Sequence, residues 1–530
     1  MTIEEADAVV APPQALPDPG PSAGLLYQGS DWDFNKLKNI HDAIAEIALG
    51  KLGLDIYPNQ IEVISSEQML DAYSSHGLPL MYRHWSFGKR FVRDQTLYRK
   101  GMQGLAYEIV INSSPCISYI MEENTMTMQA LVIAHAAFGH NHFFKNNELF
   151  RQWTDAEGIL DYLSFAKHYV QECEERHGRA AVDRILDAAH ALEAQGAWRY
   201  LRKKKSLAEE KRRAEARREH FEQALDPIWT TLPALAQAKA MGRDEAAALE
   251  NRVKARLGLP EENILYFIEK NAPKLYGWER ELVRIVRTLS QYFYPQKQTK
   301  LMNEGCATFV HYEIMTELNE QGRISNGAYL EFLHAHSSVI AQPAFDSPVF
   351  SGWNPYALGF AMMRDIKRIC LDPSDEDRAW FPSFAGNGEP YPTLRAAWAN
   401  YRDESFILQF LSPKVIRDFR MFHLADESGE DVYKVGAIHD DAGYRMIRSK
   451  LSAHYDLSRR EPDINVVDLD LMGDRRLYLS HAVHDKRKLE RGAADKVVAH
   501  LRELWGYPVT LTERDAATDL DLRKIESSER

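Results

Sequence analysis

The sequence predicts an α+β protein with a predominantly α-helical main domain, short N-terminal strands and a C-terminal ferredoxin-like module. Three observations lead to this prediction. From about residue 120 to 425, apolar residues recur every three or four positions, as on one face of a helix. Short runs at 57–64 and 107–112 are rich in β-branched residues and are typical of strands. In the last hundred residues, strand-like and helix-like segments alternate.

The chain is predicted to divide into five parts. Residues 1–27 form an acidic segment rich in Pro and Ala, which is typical of a disordered tail. Residues 28–118 are predicted to form an N-terminal α/β segment that opens with an amphipathic helix. The remaining parts are a helical core domain at 119–425, the ferredoxin-like module at 430–515 and a polar tail at 516–530.

A run of charged residues at 199–219 lies inside the helical domain. Its Lys and Arg residues are interspersed with Glu. One interpretation is a basic binding arm. We favour a solvated helix or linker, because oppositely charged residues four positions apart pair on an exposed helix face.

The C-terminal module is predicted from the order of its segments. Strand-like and helix-like runs follow one another as βαββαβ, which is the split-βαβ arrangement of ferredoxin-like domains. The segments are 432–438, 441–456, 464–471, 477–481, 492–505 and 509–511. None of them carries a catalytic pattern, so we interpret the module as an interaction domain.

The charge, the cysteine content and the absence of certain motifs argue against several classes of function. The formal net charge of −12 argues against a general nucleic-acid binder. The four cysteines are widely scattered with no C-x-x-C pair, which fits a reducing compartment and excludes a cysteine-rich zinc module. The sequence has no apolar run of about 18 residues, no signal-peptide pattern and no Gly-rich phosphate loop. We therefore expect a cytoplasmic protein without a membrane span.

Two segments place several histidines and a glutamate inside apolar helical runs, and the first spans 133–142. Such residues need a partner when they are buried. His135 and His140 are five residues apart, whereas the zinc-protease pattern H-E-x-x-H places two histidines four apart, with a general-base Glu between them. Ala136 occupies the Glu position. On a regular helix the two rings would point about 140° apart, so they converge only at a π-bulge or if the helix ends near Gly139.

The second segment is a helix that carries Glu304, Thr308 and His311. These residues stand at i, i+4 and i+7 and therefore share one face. Glu304 and His311 are about 10 Å apart along the axis, which is too far to hold one ion comfortably. We expect Glu304 to bind a metal or act as a base, while His311 contacts the substrate or orients a ligand. The alternative is a buried Glu–His pair that only locks two helices together.

A third group of polar residues follows at 331–336 and includes His334 and His336. The segment 345–355, punctuated by Pro and Gly, is then predicted to form a loop before the next helix. Loops beside helical scaffolds often line sites, and a structured loop with satisfied polar groups is the equally weighted alternative. We interpret His84 as part of a structural aromatic cluster.

Longer motifs resemble the stage V sporulation protein R (SpoVR) family over about residues 28–515. The resemblance rests on the two helical segments above and on further runs at 32–34, 57–62, 84–89, 106–112, 121–125, 292–296, 354–360 and 403–406. It implies a cytoplasmic bacterial protein whose Bacillus-type members are needed for spore cortex formation. It also implies a genetic association with a PrkA-type serine protein kinase and a von Willebrand factor A-like protein.

The family pattern also implies site residues. Those that match it are His135, His140, Glu304, His311, His334 and His336. His142 departs from the pattern, and Cys306 stands where a tryptophan is usual, which argues against a catalytic thiol. The Asn-Glu-Gly-x-Ala run around Glu304 is similar to the second ligand helix of some gluzincin-type metallopeptidases, in which the Glu is the third ligand.

The leading hypothesis is a metal-dependent hydrolase that acts on amide bonds of peptides or peptidoglycan-related molecules, in sporulation or stress physiology. The metal, Zn²⁺ or another divalent ion, would be held by His135, His140 and Glu304. Protons would be moved by three catalytic histidines, His311, His334 and His336. The alternative is a non-enzymatic regulatory or scaffold partner of a PrkA-type kinase, in which the buried polar residues only fix the core.

Overall fold

The computed structural model describes residues 24–75, 78, 81–99, 108–198, 257–425, 434–437, 439–470 and 473–527. The first 23 residues and the charged run at 199–219 lie outside these ranges. The described part confirms the predicted α+β class with a predominantly helical main domain. No helix in these ranges is long and apolar enough to cross a membrane.

The helices before the charged run are α1 (Phe34–Ala45), α2 (Ser66–Ser74), α3 (Trp85–Arg99), α4 (Met126–Ile133), α5 (Asn141–Asn146), α6 (Glu148–Trp153), α7 (Ile159–His177) and α8 (Arg179–Ala191). Two π-helical turns, π1 (Glu46–Lys51) and π2 (Ala134–His140), extend α1 and join α4 to α5. A short 3₁₀ turn follows α8 at Glu193–Gln195.

The helices after the charged run begin with α9 (Ile264–Asn271), α10 (Gly277–Gln298), α11 (Lys300–Glu320), α12 (Asn326–Val339) and α13 (Pro355–Leu371). Shorter helices complete the domain: α14 (Asp375–Trp380), α15 (Pro390–Asn400), α16 (Asp403–Phe410) and α17 (Pro413–Asp418). The last are α18 (Asp441–Tyr455), α19 (Leu457–Arg460) and α20 (Arg491–Trp505).

Three strands form a small N-terminal sheet: β1 (Asn59–Ile64), β2 (Glu108–Ile111) and β3 (Cys116–Met121). β3 is the central strand, parallel to β1 and antiparallel to β2. β1 and β2 confirm the two strands predicted from sequence. The sequence did not indicate β3, because all six of its residues are buried and its apolar run shows no alternation.

Apolar side chains form two cores in the described ranges. The first joins α1, the α4–α5 segment, α11 and α13, and its fully buried members include Ile40, Phe138 and Phe309. The second joins α7 to α10 with the C-terminal sheet and includes Ile185 and Leu479. Both histidine and glutamate segments singled out from sequence belong to the first core.

Helix α11 lies at the centre of the first core because its neighbours approach it at small residues. A Cβ atom added to Gly305 would lie 2.7 Å from the backbone of Gly359 on α13. A Cβ atom added to Gly139 of π2 would lie 2.5 Å from the Cα atom of Ala307. Only small residues permit backbones this close. α11 is therefore held between π2 and α13, which fixes the position of Glu304.

The N-terminus of α11 is held by a buried carboxyl group. Asp403 accepts the backbone N–H groups of Leu301 and Met302, each at 2.9 Å. Side-chain oxygens at a helix N-terminus satisfy N–H groups that have no partner within the helix. Burial raises the pKa of Asp403 to about 8, against the effect of these two hydrogen bonds. The contacts fix α11 along its axis, one turn before Glu304.

The C-terminal sheet contains β6 (Asp463–Leu469), β7 (Leu477–Val483), β8 (Val509–Asp515) and β9 (Asp521–Glu526), in that order. The outer pairs are antiparallel, whereas β7 and β8 are parallel and are connected through α20. This order departs from the βαββαβ order predicted for 430–515. The first predicted strand, β5 (Lys434–Ala437), pairs with β4 (His423–Ala425) in a separate sheet. β9 takes the fourth place and lies within the residues interpreted as a polar tail.

Packing explains both differences. Helix α18, which follows β5, buries Tyr444 and Ile447 in the first core, so β5 and α18 belong with the helical domain. β9 carries mainly exposed polar residues and buries Ile525 alone among its residues. A strand of this kind has no apolar alternation for sequence reasoning to detect.

We expect Gly359→Ala to destabilise the first core, because the added Cβ atom would lie 2.4 Å from the backbone oxygen of Leu301. Overpacking of this kind costs about 1–3 kcal/mol. The matched control is Gly327→Ala in α12, where the added Cβ atom would meet only Ser325 Oγ at 3.8 Å. This change is expected to be neutral or to stabilise by up to ~1 kcal/mol. Thermal unfolding followed by far-UV circular dichroism checks both, and a Gly359→Ala protein that melts no lower than wild type contradicts the close approach.

Candidate metal centre

His135 and His140 lie in the π-helical turn π2, which runs without a break from α4 into α5. A π-turn has i→i+5 hydrogen bonds, so residues five positions apart come onto one face. The two imidazole ring centroids lie 4.6 Å apart, with their planes at 84°. On a continuous helix the two histidines could converge only at a π-bulge, and the structure has one at this position.

The two imidazoles face the carboxylate of Glu304 on α11. Glu304 Oε2 lies 3.6 Å from His140 Nε2 and 3.9 Å from His135 Nε2. A second carboxylate, that of Glu108, places Oε1 3.7 Å from His135 Nε2. One ligand atom from each of Glu108, His135 and His140 lies within 4.8 Å of the other two. The structure brings together the three residues expected to bind a metal and adds a fourth to the cluster.

Sequence reasoning missed Glu108, which is the first residue of β2. The strand itself was predicted, but its contact with π2 depends on how the N-terminal sheet packs against the helical core. One feature of the sequence could have indicated a role for Glu108. Its carboxylate stands at the start of a short apolar strand, where burying a charge is costly unless the charge has a partner.

Tyr356, at the start of α13, completes the described surroundings of Glu304. Its ring stacks against His135 with a centroid distance of 6.3 Å and an angle of 20°. A hydrogen bond from its hydroxyl is one of the causes that lower the pKa of Glu304. Tyr356 directly follows the loop 345–355, which sequence analysis considered as a site-lining segment.

Hydrogen bonding at Nδ1 fixes the orientation of His140. Its Nδ1 atom lies 2.9 Å from Asn303 Oδ1. An amide oxygen only accepts, so the Nδ1 atom carries the proton and Nε2 carries a lone pair directed toward Glu304. Metal-binding histidines are held in this way, with one ring nitrogen donating to an oxygen and the other free for the ion.

A chain of three histidines leads away from His135. Its Nδ1 atom lies 3.0 Å from His311 Nδ1, and His311 Nε2 lies 2.8 Å from His336 Nδ1. Both hydrogen bonds are satisfied when each ring donates to the next one along the chain, and they are equally satisfied when each ring donates in the opposite direction. Donation away from His135 leaves a lone pair on its Nε2 atom, as Asn303 does for His140, whereas the opposite direction places a proton on His135 Nε2. Among the hydrogen bonds of the described residues, the one between His311 and His135 joins His311 and His336 to the cluster.

Two buried polar atoms at the cluster have no hydrogen-bond partner in the described part of the chain: His135 Nε2 and Glu304 Oε2. Their separation of 3.9 Å is longer than a hydrogen bond. Buried polar atoms without partners are uncommon because desolvation is costly. Both atoms are therefore available to a further group between them.

Burial and charge set the protonation of the cluster. Burial, reinforced by His135, lowers the pKa of His140 to about 4. Burial alone would raise the pKa of Glu304, but His135, His140 and Tyr356 outweigh it and lower the pKa. Burial raises the pKa of Glu108, which the neighbouring His135 opposes. The cluster therefore contains a neutral imidazole and two carboxyl groups of different acidity.

The structure does not bring His334 into the cluster. His334 is exposed on α12, whereas His336 on the same helix is buried and contacts His311. Residues two apart on an α-helix lie about 200° around its axis, so the two side chains face opposite ways. His142, which departs from the family pattern, bonds instead to the backbone of Asp55 at 2.9 Å.

The contacts of Cys306 and His84 indicate structural roles for both residues. Burial raises the pKa of the Cys306 thiol well above its ordinary value, and its Sγ atom packs 3.9 Å from the carbonyl oxygen of Gly139. His84 packs against Trp85 and Phe87, with ring centroids 5.5 and 5.8 Å away. These contacts agree with the interpretation of His84 as part of an aromatic cluster.

Family comparison covers nearly all of the described domain and module. A family model described as "SpoVR like protein" matches residues 31–460, and one described as "SpoVR-like C-terminal domain" matches residues 462–516. The chain belongs to the SpoVR family. The SpoVR match contains every residue of the His/Glu cluster. The boundary between the two matches falls between α19 and β6, where the C-terminal sheet begins.

A relative of this chain in Escherichia coli matches it over nearly the full length of both proteins. The "Uncharacterized protein YcgB" of Escherichia coli (strain K12) is 51% identical over 498 residues, which is 94% of this chain and 95% of the relative. No solved structure matches the chain. The resemblance found from sequence motifs is confirmed, and a link to sporulation follows from the name of the SpoVR family.

We expect the stability of this SpoVR protein to fall as the pH decreases from about 6.5 to about 4. Burial, with Arg364, lowers the pKa of His336 from 6.5 to about 4, so the unfolded chain binds a proton in this range that the folded chain does not. The contribution of His336 is present above pH 6.5 and is lost as the pH falls through this window.

The measurement is the thermal midpoint of wild type and His336→Gln across this pH range. The variant is expected to show a shallower decline, and His334→Gln, at an exposed position on the same helix, is expected to follow wild type. Parallel curves for His336→Gln and wild type would show that His336 is not a buried neutral histidine.

Proposed function

We propose that this SpoVR-family protein is a metal-dependent hydrolase of amide bonds and that His135, His140 and Glu304 hold the metal. The main support is the convergence of the two Nε2 atoms on Glu304 Oε2, at 3.9 and 3.6 Å. Two ligands of a tetrahedral zinc ion, each at about 2.1 Å, are about 3.4 Å apart. The distances from Glu304 Oε2 to the two Nε2 atoms exceed this ligand–ligand distance by only about 0.2 and 0.5 Å.

The donor atoms suit a catalytic zinc ion. Two imidazole nitrogens and one carboxylate oxygen are the ligands of several zinc hydrolases, which leave a fourth position for water. A structural zinc site would have four protein ligands and usually includes thiolates. A bound Zn²⁺ ion lowers the pKa of its water toward about 7. The unpartnered His135 Nε2 and Glu304 Oε2 atoms fit this use.

We assign Glu108 the role of general base. In H-E-x-x-H enzymes the base comes from the same helix as the histidines, but Ala136 occupies that position here. Glu108 supplies a carboxylate from β2 instead and lies within 4.8 Å of the histidine ligand atoms. Its pKa is raised by burial, whereas the imidazoles lower that of Glu304. A ligand carboxylate is favoured when ionised, and a base works best with its pKa nearer to the working pH.

His311 and His336 are assigned to orientation of His135. When each ring donates away from His135, the two hydrogen bonds, at 3.0 and 2.8 Å, hold the tautomer that presents a lone pair on His135 Nε2 to the metal. Partners of this kind raise the basicity of a ligand and restrict its rotation. A path for protons through the three rings would use the same bonds. His334 has no part in this proposal, because it is exposed on the other side of α12.

The substrate class follows from the machinery. A metal with an adjacent carboxylate base is suited to hydrolysis of an unactivated amide, which needs both an activated water and a proton donor for the leaving amine. A peptide or peptidoglycan-related amide would connect this chemistry to the sporulation that the family name indicates. Association with a PrkA-type kinase and a von Willebrand factor A-like protein stays a prediction.

We expect the purified protein to bind about one zinc ion per chain. Replacement of a ligand removes a direct bond to the ion, so Glu304→Ala and His140→Ala should lower zinc affinity by more than about 100-fold, beyond the 10–100-fold cost of losing an orienting residue. Competition with a chelator of known affinity, followed by elemental analysis, measures this. His334→Ala is the control and should retain the metal. Full zinc affinity in a folded Glu304→Ala protein would contradict the proposed site.

Glu108→Gln should keep the metal and lose hydrolysis. Loss of a general base typically costs about 10²–10⁴-fold in rate. The measurement is mass-spectrometric detection of new termini after the metal-loaded protein is incubated with a diverse peptide mixture or with peptidoglycan fragments. Metal-loaded wild type that cleaves neither would favour the non-enzymatic scaffold alternative. Loss of the metal from Glu108→Gln would make Glu108 a ligand rather than the base.

A further inference from the structure

A wide cleft lies on the helical domain, and none of the residues of the His/Glu cluster lines it. Its volume is about 1260 Å³. Five separate parts of the chain form its walls: the junction of α10 and α11, the loop before α13, the start of α16, the end of α17 with the residues after it, and the helices α18 and α19. Small-molecule sites usually have volumes of about 300–1,000 Å³, so the cleft admits a ligand of substantial size.

Cationic side chains line this cleft without being paired. Lys300, Arg420, Lys450 and Arg460 all line it, and none of them forms an ion pair with another residue in the described ranges. The whole chain carries a formal net charge of −12. A group of unpaired cations on an acidic protein produces a local positive field that attracts anions.

The acidic residues of the cleft offset these cations only in part. Asp403 already accepts two backbone N–H groups of α11, at 2.9 Å each. Asp418 pairs with Lys414 at 2.5 Å. Among the described residues that line the cleft, Asp346 is the remaining carboxylate. The balance inside the cleft is therefore positive.

One wall of the cleft is aromatic. Phe345 and Phe350 have ring centroids 5.4 Å apart, Phe350 and Trp353 are 5.5 Å apart, and Trp353 and Phe419 are 5.8 Å apart. All four rings line the cleft. Phe345 is 59% exposed, although most phenylalanines are buried. An exposed ring at the end of an aromatic row is a surface on which a planar group can stack.

We propose that this cleft binds a nucleotide, which is a small molecule that joins phosphate groups to a planar base. Lys and Arg side chains bind phosphate oxygens through charge-assisted hydrogen bonds. Aromatic side chains stack on nucleotide bases, with a contribution of about 1–3 kcal/mol per base. The net charge of −12 opposes a long polyanion, whereas a single nucleotide meets mainly the local field, because distant charges are screened. The site is separate from the proposed metal centre.

Isothermal titration calorimetry on the full-length protein tests the ligand class. ATP and GTP are the probes, with adenosine as the base without phosphate and inorganic triphosphate as the phosphate without base. At least one nucleotide is expected to bind at least about tenfold more tightly than either fragment, a difference of about 1.4 kcal/mol. Failure of both nucleotides to bind, or tighter binding of a single-stranded oligonucleotide or an acidic aromatic peptide, overturns the proposal.

Substitutions locate the binding. The double variant Lys450→Glu/Arg460→Glu is expected to weaken nucleotide binding at least about tenfold, since it reverses two of the unpaired charges. The matched control Arg491→Glu/Lys496→Glu makes the same charge change at exposed positions of α20, outside the cleft, and should bind like wild type. Equal binding by both double variants overturns the assignment to this cleft.

Two further variants separate the contributions. Phe345→Ala is expected to lower the affinity for ATP but not for inorganic triphosphate, because it removes only the stacking surface. Glu304→Gln should bind nucleotide like wild type, so failure of the metal proposal leaves this one standing. Loss of nucleotide binding in Glu304→Gln, with the cleft variants unaffected, would place the phosphates at the His/Glu cluster and overturn the proposal.

Discussion

The π-helical turn at 134–140 is the constraint on which the His/Glu cluster depends. It places two histidines that are five residues apart on one face, with ring centroids 4.6 Å apart. The turn packs against α11 at Gly139, where no Cβ atom would fit beside Ala307. One local irregularity thus sets both the angle between the imidazoles and their distance from Glu304. α13 holds α11 from another side through the Gly305–Gly359 contact.

Hydrogen bonds to neighbouring buried polar groups orient the two histidines of the cluster. Asn303 holds His140 through Nδ1, and the His311–His336 pair holds His135 through the same atom. Both Nε2 atoms consequently face the carboxylates. Buried polar groups of this number would destabilise the first core if they were unpaired, and nearly all of them are paired within it. Two of the unpartnered buried atoms of the described residues, His135 Nε2 and Glu304 Oε2, lie together where the proposed metal would bind.

Much of this arrangement could be predicted from the sequence, and the limits have physical causes. The helical period of the core, the strands β1 and β2 and the need for a π-bulge between His135 and His140 follow from local patterns. Glu108 could not be placed, because its approach depends on how the N-terminal sheet packs against π2. The local pattern wrongly assigned β5 to the C-terminal module. It contains no sign that α18, which follows β5, packs against the helical domain and buries Tyr444 there. His334 and His336 look equivalent in sequence, and only the rotation of α12 separates an exposed side chain from a buried one.

Anomalous diffraction at the zinc edge, from crystals of the protein grown with zinc, tests the central claim most directly. The account predicts one strong peak at about 2.0–2.2 Å from His135 Nε2, His140 Nε2 and a carboxylate oxygen of Glu304. The Nδ1 atoms of the two histidines should keep their partners, Asn303 and His311. A peak elsewhere, or no peak at the cluster at full zinc loading, would contradict the account and leave these residues as a buried polar network that fixes the core.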